Sequence, residues 1–82
     1  MSDLGPLGAV VRVAAEALVD QPDALRVTET PRRGTTVVEL FPAPGDVGKV
    51  VGRQGRTAAA LRTLLQCTAE FHKTRATLEI RD

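Results

Sequence analysis

Gly52-Arg53-Gln54-Gly55-Arg56 is the segment of this 82-residue chain in which residue type and spacing combine into chemistry. Two glycines frame an arginine and an amide, and a second arginine follows directly. Glycine has no Cβ, so it admits left-handed backbone and lets a ligand come close to the main chain. Arg53 and Arg56 set positive charge and forked donors beside the exposed amides. The chemistry this suits is the seating of a sugar-phosphate backbone. Gly52 and Gly55 would allow close approach, Arg53 and Arg56 would pair with phosphate, and Gln54 would face solvent as a hydrogen-bonding residue. Lys49, just upstream, is a secondary phosphate contact.

Other chemistries find little support. Cys67 and His72 stand five residues apart with no third residue to orient them, so no catalytic pair is expected, and a histidine ending a helix is more often a cap. No Cys or His cluster suggests a metal, and no cofactor is expected. Gly45-Asp46-Val47-Gly48-Lys49 lacks the spacing and the Ser/Thr of a nucleotide-binding loop. A DNA-reading helix-turn-helix is disfavoured because Thr57, Ala58, Ala59 and Ala60 offer almost nothing to base edges.

The elements that must hold the segment can be read from periodicity. Leu7, Val10, Val11, Ala14 and Leu18 recur at helical intervals, predicting a helix over about residues 4–19. Val13 and Ala17 lie off that stripe; they either pack under a sheet or meet another subunit. Asp20-Gln21-Pro22-Asp23 reads as a turn. Leu25, Val27 and Glu29 alternate with polar residues as a strand, and Pro31-Arg32-Arg33-Gly34 links it to a second strand over Thr35 to Phe41. Arg32 and Arg33 at this hairpin tip either touch RNA or simply keep the tip soluble. After Phe41-Pro42-Ala43-Pro44-Gly45, Asp46 is placed to cap a short helix that Gly52 ends at Val51. A longer helix follows from Arg56 to about Phe71, with Ala58, Leu61, Leu64, Leu65 and Phe71 as its apolar residues. Arg75 to Arg81 alternates as a third strand. The order helix, strand, strand, helix, helix, strand predicts an α+β fold, with helices on one face of a three-stranded sheet.

Bulk properties agree with one small domain spanning 1–82. The apolar fraction is 43% and the charged fraction 26%, ordinary values for a folded chain. Only Phe41 and Phe71 are aromatic, which disfavours an RNA-binding surface of stacked rings. A net charge of +1 exerts little long-range pull on a polyanion, so nucleic-acid binding has to be local. The lone Cys67 and the lack of a leader or long apolar run lead us to expect a reduced, cytoplasmic setting away from membranes.

Leu18-Val19-Asp20-Gln21-Pro22, Leu25-Arg26-Val27, Gly48 through Thr57 and Leu61-Arg62-Thr63-Leu64-Leu65 together resemble the small bacterial KH-domain family of the KhpA (YlqC) type. The resemblance covers nearly the whole chain and implies a type II KH domain, since the G-x-x-G turn lies past mid-chain after a hairpin. It implies single-stranded RNA as the ligand, about four nucleotides held at the loop. The bases would lie in a groove floored by Val47, Val50, Val51 and Ala58, unless these are core residues. The family commonly has a larger aliphatic residue where Ala58 stands and often a basic one at Ala59, so a roomier and less positive groove is expected here. By the same resemblance the chain is a non-enzymatic RNA chaperone that acts as a homodimer or with KhpB (Jag/EloR) in cell elongation and wall homeostasis. A rival reading keeps the fold mainly as a dimerisation module.

Overall fold

The structure is a computed structural model that describes residues 4–82; the first three residues of the expected domain lie outside it. The elements are α1 (Pro6–Glu16), β1 (Arg26–Arg32), β2 (Thr35–Phe41), α2 (Val47–Val51), α3 (Arg56–Phe71) and β3 (Arg75–Ile80), with single 3-10 turns at Pro22–Ala24, Pro44–Asp46 and Arg53–Gly55. β2 is central, antiparallel to β1 and parallel to β3. The parallel pair is joined through α2 and α3, so the G-x-x-G turn sits within the crossover between neighbouring strands.

β2 and α3 begin and end where periodicity places them. α1 is shorter at both ends than the expected helix. It starts at Pro6, whose fixed φ and missing N–H suit a first helical position, with Gly5 as its cap. After Glu16 the chain tightens, with Leu18 N–H donating to Ala15 O at 2.9 Å. Leu18 is therefore outside the helix and 40% exposed, although it fits the apolar repeat. The hairpin link is also tighter than Pro31–Gly34. Only Arg33 and Gly34 form the loop, at φ 52° and 80°, the two left-handed positions of a tight hairpin turn. Pro31 pairs with Thr36 inside β1, where an edge strand tolerates the missing donor.

The core lies between the sheet and the helices. Leu7, Val11 and Ala15 of α1, Val38 and Leu40 of β2, Val50 of α2 and Leu61, Leu65 and Ala69 of α3 form one cluster with Leu25, Ala76 and Leu78. Full burial of each Leu or Val contributes roughly 1.5–3 kcal/mol. Glu29 reaches inward from β1, and its carboxylate accepts a hydrogen bond from Gly8 N–H at 2.8 Å. A Cβ at Gly8 would fall 2.7 Å from that oxygen, so the helix and strand meet here through backbone. α3 ends with His72 as C-cap and Lys73 left-handed at φ 56°; Thr74 N–H bonds Ala69 O and Lys73 N–H bonds Glu70 O, the paired closure common at helix ends. Among the described residues no helix is long and apolar enough to cross a membrane.

Candidate nucleic-acid interface

The turn from α2 into α3 is built on three positive-φ residues. Gly52 has φ 77°, ψ 171°, a region open essentially to glycine alone; Gln54 follows at φ 57° and Gly55 at φ 73°. The two glycines do different jobs. A Cβ on Gly52 would lie 2.2 Å from Thr57 Oγ1 and 2.8 Å from Thr57 N, so that glycine lets α3 begin directly against the loop. A Cβ on Gly55 would meet nothing within 4 Å, so that side of the backbone is open to an approaching ligand. Close approach from outside is thus a property of Gly55, while Gly52 serves the chain's own packing.

Arg53, Gln54 and Arg56 are exposed, and neither arginine forms an ion pair among the described residues. Arg56 Nη2 donates to Gln54 Oε1 at 3.2 Å, which holds one guanidinium over the turn. No side chain caps α3; Gly55 N–H bonds Gly52 O and Arg56 N–H bonds Arg53 O. The positive end of a four-turn helix therefore faces the loop with two cations beside it and, among the described residues, no anion paired with them.

Lys49 differs from the arginines. Its Nζ lies 3.2 Å from Asp20 Oδ2 and 3.7 Å from Asp46 Oδ1. Asp46 stands at the expected N-cap position of α2, but its side chain makes no cap bond. It turns inward instead, 1% exposed, and accepts from the backbone N–H groups of Asp20 at 3.2 Å and Gln21 at 3.0 Å. The capping expectation is corrected accordingly: this carboxylate ties the segment after α1 to the entry of α2. No local sequence signal marks it, because its partners are 25 and 26 residues away.

Of the expected groove-floor residues, Val50 is 0% and Ala58 4% exposed, so both are core. Val47 and Val51 are half-buried and present surface beside the loop. A second apolar surface extends the off-stripe face of α1 beyond what the sequence reading named. On the α1 side of α3, two adjoining hollows of about 360 and 370 Å³ share Ala14 and Leu64; Leu18, Arg56 and Thr57 line one and Val10 and Val13 the other. Val13, Leu18 and Leu64 are exposed around them. The signal was present in Val13, off the main stripe of α1. Cys67 is exposed on α3, His72 stacks edge-on to Phe71 at 5.2 Å, and among the described residues no His, Cys, Asp and Glu group can hold a metal.

An α-β-β-α-α-β order, a β1-β2-β3 sheet with parallel β2 and β3, and a G-x-x-G turn between α2 and α3 define a type II KH domain. The profile of the KhpA/KhpB KH-domain family matches residues 9–80. The chain belongs to that family. It is 46% identical to the RNA-binding protein KhpA of Caldanaerobacter subterraneus subsp. tengcongensis, over 90% of this chain and 99% of that one. Identity to the Treponema pallidum KhpA is 47%, over 89% and 91% of the two chains, and to the Aquifex aeolicus KhpA 43%, over 94% and 98%. Among solved structures the fold resembles part of Era. For Era in complex with MgGDPNP and nucleotides 1506–1542 of 16S ribosomal RNA, the TM-score is 0.66 at 16% identity, over 95% of this chain and 31% of that one. For a variant of Aquifex aeolicus Era bound to GDP.AlF4-, the TM-score is 0.65 at 17% identity, over 96% and 31%. At such identity the likeness concerns fold alone.

Proposed function

We propose that this chain is a non-enzymatic, cytoplasmic RNA-binding protein that seats about four unpaired nucleotides at Gly52–Arg56. The observation that carries the reading is the loop itself. Gly55 leaves its backbone open, Arg53 and Arg56 stand exposed without anionic partners among the described residues, and the uncapped start of α3 points at them. Phosphates would rest against this surface while bases lie over Val47 and Val51, supported from beneath by Val50 and Ala58. Lys49 contributes only when it leaves Asp20 and Asp46. Relatives named as RNA-binding proteins support the ligand class, and membership of the family supports the fold.

The test is a titration of a short single-stranded RNA against the wild type and Gln54→Asp at two salt concentrations. Aspartate tolerates the left-handed backbone at φ 57°, so the change adds repelling charge without straining the loop. The variant should bind much more weakly, and wild-type log affinity should fall against log salt with a slope of roughly −2 to −3. Equal binding by the two proteins would refute the loop as the site.

A second reading concerns association, and the exposed apolar ring of Val13, Leu18 and Leu64 around the two hollows favours it. Scattered apolar residues are ordinary on a surface, but these adjoin two hollows on one face. We assign this face to dimerisation, either between two copies or with KhpB, at a contact that borders the loop at Arg56. The RNA-chaperone activity and the part in cell elongation and wall homeostasis belong to the same proposal and are supported by family membership alone. Light scattering on the protein alone and mixed with KhpB separates the two pairings.

A further inference from the structure

The outer face of the sheet carries no helix, and its acidic residues lie at one end, beside Arg26 and Arg81, while the charged residues at the other end are all cations. At one end Arg81 pairs with Glu39 at 3.0 Å and with Glu79. At the other, Arg32, Thr35 and Arg75 lie in one register row across the three strands, with Arg33 in the turn above and Lys73 at the entry to β3. All four cations are exposed, and none forms an ion pair among the described residues. Neighbouring strands lie about 4.8 Å apart, so the Cα atoms of Arg32 and Arg75 are about 10 Å apart, little more than the screening length of about 8 Å in physiological salt. Their fields therefore overlap.

Edge protection explains a single cation on β1 or β3, since lysine or arginine there discourages strand pairing. It does not explain Arg33 and Lys73. Both occupy left-handed positions, at φ 52° and 56°, where glycine or asparagine fits the backbone better. Neither lies on a strand. A chain of net charge +1 thus gathers four unneutralised cations at one pole. From the reading that the chain binds RNA, we infer that this pole is a second seat for the RNA backbone. It takes phosphates through charge alone, with the exposed rings of Phe71 and His72 just before Lys73 as the only nearby aromatic side chains among the described residues. The 16 residues of α3 run between the G-x-x-G loop and the entry to β3, a separation of roughly 24 Å along the helix. A strand longer than the loop's own segment reaches both seats.

The experiment is a triple variant, Arg32→Gln, Arg33→Gln and Arg75→Gln, compared with the wild type against oligouridylates of about five and about thirty nucleotides at about 50 and 200 mM salt. All three side chains are exposed, and circular dichroism verifies that the fold is kept. The short strand should bind both proteins alike. For the long strand the wild-type salt slope should exceed the variant's by about 2, three phosphates at roughly 0.7 each, so that wild type loses about 16-fold more affinity over that range. Equal slopes for the long strand overturn the second seat. If the short strand binds neither protein while the long one binds in an arginine-dependent way, the loop assignment fails and the second seat stands.

Discussion

Replacing Gly52 with alanine should destabilise the domain far more than the same change at Gly55, although both glycines have positive φ in one loop. At Gly52 two penalties combine. The φ 77°, ψ 171° conformation costs a residue with a Cβ about 1–3 kcal/mol. The new methyl would also lie 2.2 Å from Thr57 Oγ1, 2.6 Å from Thr57 Cβ and 2.8 Å from Thr57 N. A hydroxyl can rotate away, but the amide at the start of α3 cannot, and such overpacking adds about 1–3 kcal/mol. The sum, about 2–6 kcal/mol, is a large share of the roughly 4–12 kcal/mol that a domain of this size has in total. At Gly55 only the left-handed φ of 73° counts, about 1–2 kcal/mol, because the Cβ enters open space. With a urea m-value of about 1 kcal/mol/M, the unfolding midpoint should fall by about 2–6 M for Gly52→Ala and about 1–2 M for Gly55→Ala. Near-equality of the two midpoints at unchanged m would refute the claim that Gly52 exists to admit Thr57. The same geometry makes Gly52→Asp a poor probe of RNA binding, since lost affinity would be mixed with lost folding, and makes Gln54→Asp the better one.

Asp46→Ala should lower stability by about 2–4 kcal/mol in urea denaturation, because the Asp20 and Gln21 amides lose a charged acceptor; a change under about 0.5 kcal/mol would show that this buried carboxylate anchors nothing. Asp20→Asn should tighten short-RNA binding by about two- to fivefold at low salt and have no effect at high salt, since it removes the nearer of the two carboxylates beside Lys49, an exposed ion pair worth at most about 1 kcal/mol; unchanged affinity at low salt would show that this pair does not restrain RNA binding. Leu64→Glu should abolish self-association in light scattering while changing stability by no more than about 0.5 kcal/mol, because the side chain is 42% exposed; a dimer that survives would move the contact to another face.

The parts of the fold that sequence made legible are those decided by neighbours in the chain. α3 is bounded by a glycine in left-handed conformation and filled with alanine and leucine, and β2 starts where Arg33-Gly34 turns the chain, so both ranges follow from local propensity. The G-x-x-G loop was visible for the same reason. Reading by residue type failed where burial depends on what lies opposite. Leu18, Leu64 and Phe71 fit apolar repeats yet are 40%, 42% and 82% exposed, because no described element of the chain covers those sides. For Val50 and Ala58, where residue type left groove floor and core open, burial between α2 and α3 makes them core.

The placement of the loop depends on contacts that no local pattern contains. α2 has only five residues, too few to hold a direction by itself. Two long-range ties set it: Val50 enters the core, and Asp46 binds the backbone of Asp20 and Gln21. Lys49 sits one turn from Asp46 and shares its charge, so the carboxylate that orients the helix also restrains the cation nearest the loop. Arg53 and Arg56 lie beyond that restraint, on the far side of Gly52. The result is a division of labour along the segment from Asp46 to Arg56. The acidic anchor and its lysine fix where the turn points, Gly52 brings α3 against it, and the open backbone of Gly55, with two guanidinium groups that pair with no anion among the described residues, remains as the surface that a phosphate chain can occupy.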